Sequence, residues 1–145
     1  MVTSEAFKKD ATRHFFILQG FLNTDPQRTV RVRLSDGQGV LTVKGLSDAK
    51  GIERFEWEKE ISETDAQALL RLCEPGRIEK ERFCVPFSNH LFEVDVFLGE
   101  NKGLIIAEIE LQKTDESFDK PDWLGLEVTG DARYYNSQLA KNPFT

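Results

Sequence analysis

The sequence predicts an α+β protein built on an antiparallel sheet, and three observations carry that expectation. Six segments alternate between charged and apolar residues with the period of a strand. Short turn signals of hairpin type separate several of them. One intervening segment has a helix start, an apolar stripe and a stop. Two arrangements fit the alternation. In one, an open sheet keeps its charged face in water and its apolar face on the core. In the other, a barrel is turned inside out, with charges lining a lumen and apolar side chains facing outward against helices. The second gains weight because Arg, Glu and Asp dominate the polar faces and are segregated by sign from strand to strand.

The elements follow in chain order. Ser4 to Ala11 is polar and forms a short helix or a loop. Arg13 to Leu22, rich in Phe and Ile, is a strand ended by the turn Asn23-Thr24-Asp25-Pro26. Thr29 to Leu34 sets Arg31 and Arg33 against Val30, Val32 and Leu34. Ser35-Asp36-Gly37-Gln38-Gly39 joins it as a hairpin to Val40 to Gly45, where Lys44 and Thr42 oppose Leu41 and Val43. Leu46 to Gly51 is a looser connection. Arg54 to Ile61 aligns Glu56, Glu58 and Glu60 opposite Phe55, Trp57 and Ile61, with Lys59 as the exception.

Ser62 then caps a helix whose stripe is Ala66, Leu69, Leu70 and Cys73, stopped by Pro75-Gly76 and placed to cover the outside of the sheet. Ile78 to Phe87 aligns Lys80 with Arg82, and a Ser88-Asn89 turn leads to Leu91 to Leu98, which aligns Glu93 with Asp95. Leu104 to Leu111 carries Glu108 and Glu110 on one face, opposite Ile105, Ala107, Ile109 and Leu111. In the tail, Pro121 to Leu124 predicts a helical turn and Asp131 to Lys141 a helix ending before Asn142-Pro143. Trp123, Tyr134, Tyr135 and Leu139 read as packing residues.

A chain of 145 residues fits a single domain spanning 1–145. Its formal charge of −6 argues against nucleic acid held on a general basic surface. Cys73 and Cys84 have neither metal-ligand spacing nor a disulfide framework, which favours the cytoplasm. No run is apolar enough for a signal peptide or a membrane span. Walker A and dinucleotide glycine motifs are absent, and His14 and His90 stand apart from any triad. What remains is the segregation of acid from base. Clustered Arg and Lys suit a polyanion with several phosphates, and neighbouring carboxylates suit Mg²⁺ or Mn²⁺. Pairing of opposite charges across neighbouring strands is the plainer alternative.

The strand motifs Thr29-Val30-Arg31-Val32-Arg33, Leu41-Thr42-Val43-Lys44-Gly45, Arg54-Phe55-Glu56-Trp57-Glu58, Glu79-Lys80-Glu81-Arg82, Phe92-Glu93-Val94-Asp95 and Ala107-Glu108-Ile109-Glu110-Leu111 resemble, in order, those of the CYTH or triphosphate tunnel metalloenzyme family. The ending Trp123-Leu124-Gly125, Thr129-Gly130-Asp131 and Tyr134-Tyr135-Asn136-Ser137 is similar to that of its short bacterial members. The resemblance implies an antiparallel β-barrel, or tunnel, with a charged interior and flanking helices. It further implies Arg31, Arg33, Lys44, Lys80 and Arg82 as phosphate contacts and Glu108 and Glu110 as ligands of Mg²⁺ or Mn²⁺. Glu56, Glu58, Glu93 and Asp95 are then the candidates for catalytic, metal or pairing roles.

The family's barrel is eight-stranded, and its opening Glu-x-Glu-x-Lys strand has no counterpart before the segment Thr3 to Asp10. Either the true start lies upstream, or the chain is shortened, or the protein has lost this strand and with it some of its rate; about seven strands are expected here, as an opened barrel or as a homodimer that covers its edges. The implied partner is a small triphosphate: tripolyphosphate, a nucleoside triphosphate or thiamine triphosphate. The implied activity is a metal-dependent tripolyphosphatase. A class IV adenylyl cyclase and a non-catalytic polyphosphate or nucleotide binder are the alternatives.

Overall fold

The computed structural model describes residues 1–25, 27–47, 54–109, 111, 116–129 and 131–144, with the backbone alone at 46, 47, 54, 132 and 137. Within these residues, seven strands form one antiparallel sheet: β1 (Arg13–Asn23), β2 (Arg28–Ser35), β3 (Gln38–Ser47), β4 (Arg54–Ile61), β5 (Ile78–Phe87), β6 (His90–Leu98) and β7 (Ile105–Ile109). Their order across the sheet is β4-β3-β2-β1-β5-β6-β7. Among the described residues no hydrogen bonds join β4 to β7, so the sheet is an opened barrel, as expected. It is nevertheless strongly curled, because Lys44 of β3 and Glu108 of β7 line a single cavity from distant strands.

Residues directly opposite one another on paired strands share a face, so the register fixes which side chains turn inward. Gln19 lies opposite Arg33 and Ile78, Arg31 opposite Thr42, and Thr42 opposite Glu58. Across the other half, Lys80 faces Phe97, Arg82 faces Asp95 and Glu93 faces Glu108. The turn between β2 and β3 supports this register. Asp36 and Gly37 both have positive φ, 52° and 74°, as an Asp-Gly hairpin turn requires.

The outward face is apolar and is covered in two separate places. Val32 packs with Ala66 and Leu70 of helix α1 (Glu63–Leu70), together with Leu18, Leu34, Leu41 and Ile61. On the other half, Phe83, Val85, Phe92 and Val94 pack against Phe7 and Trp123 from the N-terminal and C-terminal segments. Val32 and Val94 therefore lie beneath different covers, and no common apolar core joins them. The fold is the inside-out arrangement. A third cluster, Phe21, Ile78 and Phe97 with Leu104, Leu139 and Ala140, seats helix α2 (Asn136–Lys141) against inward-facing residues.

Local chemistry accounts for how the covers dock. Ser62 caps α1 by accepting from the Asp65 amide at 3.0 Å. The helix approaches β3 at Gly39, where an added Cβ would stand 2.6 Å from the Ala66 Cβ and 2.8 Å from Ile61 Cγ1. Gly76 has a φ of +92°, and a side chain there would overlap the Ala140 carbonyl. The N-terminus runs beside β7. The Val2 amide donates to the Ile105 carbonyl at 3.1 Å, and the Gly125 amide donates to the Met1 carbonyl at 2.7 Å.

Several elements differ from expectation. The helix α1 ends at Leu70 rather than at Pro75-Gly76, because its last carbonyls are taken up by tight turns to Leu72 and Cys73. The segment expected as one helix from Asp131 to Lys141 is a 3-10 turn, Ala132–Tyr134, followed by α2. The Asp131 carboxylate accepts from the Arg133 amide at 3.1 Å and competes with helical pairing, and Tyr135 is extended. The strand β7 is shorter than Leu104 to Leu111, and Glu110 lies outside the described residues. On edge strand β4, Phe55 and Trp57 are 65% and 44% exposed, since α1 reaches only Ile61 at its end.

Candidate active site

β2 presents Arg31 and Arg33 to the lumen because Val32, between them, is locked beneath α1. Burial lowers the pKa of the Arg31 guanidinium, while Glu58 and Glu56 act in the opposite direction. Burial, with Arg31 and Arg82 nearby, pushes Arg33 down to about 10, which leaves it a cation at neutral pH. The two guanidiniums repel each other, and an anion bound beside them would offset that repulsion.

The neighbouring polar groups hold the forks in place. Gln19 Oε1 accepts from both Nε and Nη2 of Arg33, at 3.3 and 3.2 Å. Arg31 Nη2 donates to the Thr42 hydroxyl at 3.5 Å, and that hydroxyl donates to Glu58 Oε2 at 3.4 Å. Both contacts lie at the long end of hydrogen-bond distance, so they orient these groups more than they bind them.

A second charged group lies on β5 and β6. Arg82 grips Asp95 in a two-point fork, Nε to Oδ1 at 2.8 Å and Nη2 to Oδ2 at 3.0 Å, while Nη1 reaches Glu93 at 3.0 Å. Lys80, only 1% exposed, donates to Asp95 Oδ2 at 2.8 Å. Burial opposes ionisation of Asp95, but the Arg82 hydrogen bonds and the Lys80 and Arg82 charges prevail and hold it below the usual carboxylate range. Burial likewise disfavours charge on Arg82, and the hydrogen bond and charge of Asp95, with Glu93, outweigh it and raise its pKa. In Lys80 burial prevails and the pKa is lowered.

The lumen opens into a cavity of about 280 Å³ lined by Arg31, Lys44, Glu108 and Gln19 among others. Tyr134, Tyr135 and Asn136 border it at the junction between the 3-10 turn and α2. Of the expected site residues, the structure brings Arg31, Lys44 and Glu108 to this cavity and sets Arg33 against Gln19 beside it. Glu56 and Glu58 are exposed on β4, facing Lys44 and Thr42 across the ladder. Lys80, Arg82, Glu93 and Asp95 form their own ion-paired group.

Some lining residues were invisible to a pattern based on charge. Gln19 is fully buried within an apolar strand, and its one signal was an amide in the middle of a Phe- and Ile-rich run. Tyr134 packs against the Phe21–Leu139 cluster, as expected, and borders the cavity as well, whereas Tyr135, also expected to pack, borders the cavity about half exposed. Trp123 and Leu139 do pack, as expected.

A family model described as the CYTH domain matches residues 2–137, nearly the whole chain. The chain belongs to the CYTH family. This CYTH chain is 48% identical over 145 residues to an inorganic triphosphatase of Acetivibrio thermocellus, covering 99% of this chain and 91% of the relative. It is 37% identical over 125 residues to an inorganic triphosphatase of Nitrosomonas europaea, covering 84% and 82%. The crystal structure of the inorganic triphosphatase NE1496 superposes with a TM-score of 0.69 at 34% identity, covering 88% of this chain and 86% of that one.

CYTH triphosphatases are in general metal-dependent, and the donor chemistry of this lumen suits a hard cation. Glu108 on β7 stands opposite Glu93 on β6, which gives two carboxylates on one inward face. No cluster of three or more such ligands forms among the described residues. A small divalent ion needs no more than that, because it is commonly held by one or two carboxylates with waters and substrate phosphates completing its shell.

Proposed function

We propose that this CYTH protein hydrolyses inorganic triphosphate in the presence of Mg²⁺ or Mn²⁺. The observation that carries this reading is the cavity in which Arg31 and Lys44 share a wall with Glu108, inside a sheet whose charged faces point inward. Guanidinium forks match phosphate oxygens in geometry and in charge. The family relationship to two inorganic triphosphatases supports the same substrate.

In this reading Arg31, Arg33 and Lys44 bind the triphosphate and offset its charge. Arg82 completes the basic wall. Lys80 keeps Asp95 ionised and so holds Arg82 in place. Glu108 would hold the cation, with Glu110 from the same strand motif and Glu93 beside it, and a bound cation would neutralise phosphate oxygens. Glu56 and Glu58, on the open edge strand, orient the attacking water. The water oxygen bonds to the terminal phosphorus, the bond to the bridging oxygen breaks, and pyrophosphate leaves. Fixed cations around the transferred group stabilise the charge that develops. With both thiols free of disulfides, a reducing cytoplasm suits the chain.

Release of phosphate from tripolyphosphate, ATP and thiamine triphosphate, each with Mg²⁺ or Mn²⁺, tests this directly. Tripolyphosphate is expected to be the fastest substrate. No release from it would overturn the reading, and a cyclic nucleotide formed from ATP would mark a cyclase instead.

A further inference from the structure

A neutral side chain sits among the charged residues of the lumen. Gln19 is 0% exposed, sits on β1 between Arg33 and Ile78, and borders the cavity. Its orientation is fixed by chemistry. A guanidinium can only donate, so the side that meets Arg33 Nε and Nη2 must be the carbonyl Oε1. The Nε2 amide therefore points away from Arg33, and it has no hydrogen-bond partner among the described residues. Arg31 Nε, bordering the same cavity, is also buried without a partner there.

Buried donors are rarely left unpaired, and two of them beside one basic cavity ask for the same kind of guest. That guest must be rich in acceptors, poor in donors and anionic. A phosphoryl group meets all three conditions. We infer that Gln19 contacts the substrate: its Nε2 donates to a phosphoryl oxygen of the triphosphate while its Oε1 positions the Arg33 fork. This rests on the triphosphatase reading above. The amide joins the two groups because its ends differ, one accepting from the protein and the other donating to the ligand.

Two replacements separate contact from positioning. Gln19→Glu keeps an acceptor for Arg33 but loses the Nε2 donor and faces the ligand with an oxygen. Gln19→Leu removes both functions. With tripolyphosphate, both are expected to raise KM by about tenfold to a hundredfold, as for a lost hydrogen bond to a charged group, with a smaller fall in kcat. A Gln19→Glu enzyme with wild-type KM would show that Gln19 only positions Arg33 and would overturn the substrate contact. If Gln19→Leu does not fold, judged by its thermal unfolding, Gln19→Glu carries the test alone.

Calorimetric titration of tripolyphosphate keeps the two readings apart. A wild-type protein that turns tripolyphosphate over, with both variants unchanged in KM, leaves the triphosphatase reading standing and removes Gln19. A wild-type protein that binds without turnover fails as a hydrolase, and the weakened affinity of Gln19→Glu then supports the contact. Binding equal to wild type overturns it. A wild-type protein that neither binds nor hydrolyses tripolyphosphate ends both.

Discussion

Asp95 shows how this lumen keeps charges out of bulk water. Its two oxygens take three short contacts from Lys80 and Arg82, and both Asp95 and Lys80 are almost fully buried. Removing one partner from such a group leaves a buried charge uncompensated, so Asp95→Asn is expected to destabilise the protein by about 3–5 kcal/mol in denaturant unfolding at neutral pH. The same residue predicts an acid limb. Because the folded carboxyl titrates below its unfolded value of about 4, its contribution is complete above that pH and is lost as the pH falls through the folded value. Melting temperature should drop more steeply on acidification in the wild type than in Asp95→Asn. Parallel acid limbs would contradict this.

Single residues also mark what could be read in advance. Arg31, Arg33, Lys44 and Glu108 were legible because charge recurring every second residue against Val and Ile leaves one face for them. The partition of roles was not. Arg82 and Asp95 look alike in spacing to Arg31 and Glu108, yet cross-strand register turns the first two into a closed ion pair and leaves the other two beside a cavity. Gln19 escaped because an amide adds no charge to the pattern.

At the scale of elements, α1 and α2 do different work. The helix α1 covers the outward apolar face of β2 and β3 and so forces Arg31 and Arg33 inward. Its docking depends on Gly39, where a Cβ would crowd Ala66 on the helix and Ile61 on β4. Gly39→Val is expected to cost about 1–3 kcal/mol in urea unfolding, as overpacking does. A variant as stable as the parent would show that α1 is not held this closely. The stripe of α1 was readable from Ala66, Leu69 and Leu70. The break at Tyr135 was not, because it arises from the Asp131 side chain competing for the Arg133 amide and from the seating of Leu139 against Phe21 and Ile78. The second of these joins distant segments and leaves little local trace.

For the whole molecule, the outward apolar side chains divide between an α1 cover and a Phe7–Trp123 cover, with the charged lumen between them. The alternation on each strand allowed this arrangement without choosing it over a solvated sheet. The covers decide the matter, α1 from mid-chain on one half and Phe7 with Trp123 from the two chain ends on the other, and the second exists only once the fold is assembled. The lumen joins cation and carboxylate walls from strands far apart in sequence, which suits a polyanion carried with a divalent ion. In the proposed reading, Glu108 is the residue that would tie this arrangement to that ion.

The most direct measurement is phosphate release from tripolyphosphate as Mg²⁺ or Mn²⁺ is titrated, in the wild type and in the double replacement Glu108→Gln with Glu110→Gln. The wild type should show a rate that rises with the ion and saturates, is abolished by a chelator, and falls by about a hundredfold or more in the double replacement. A rate that ignores the ion, or one that the double replacement leaves unchanged, would contradict a metal-assisted triphosphate site in this lumen.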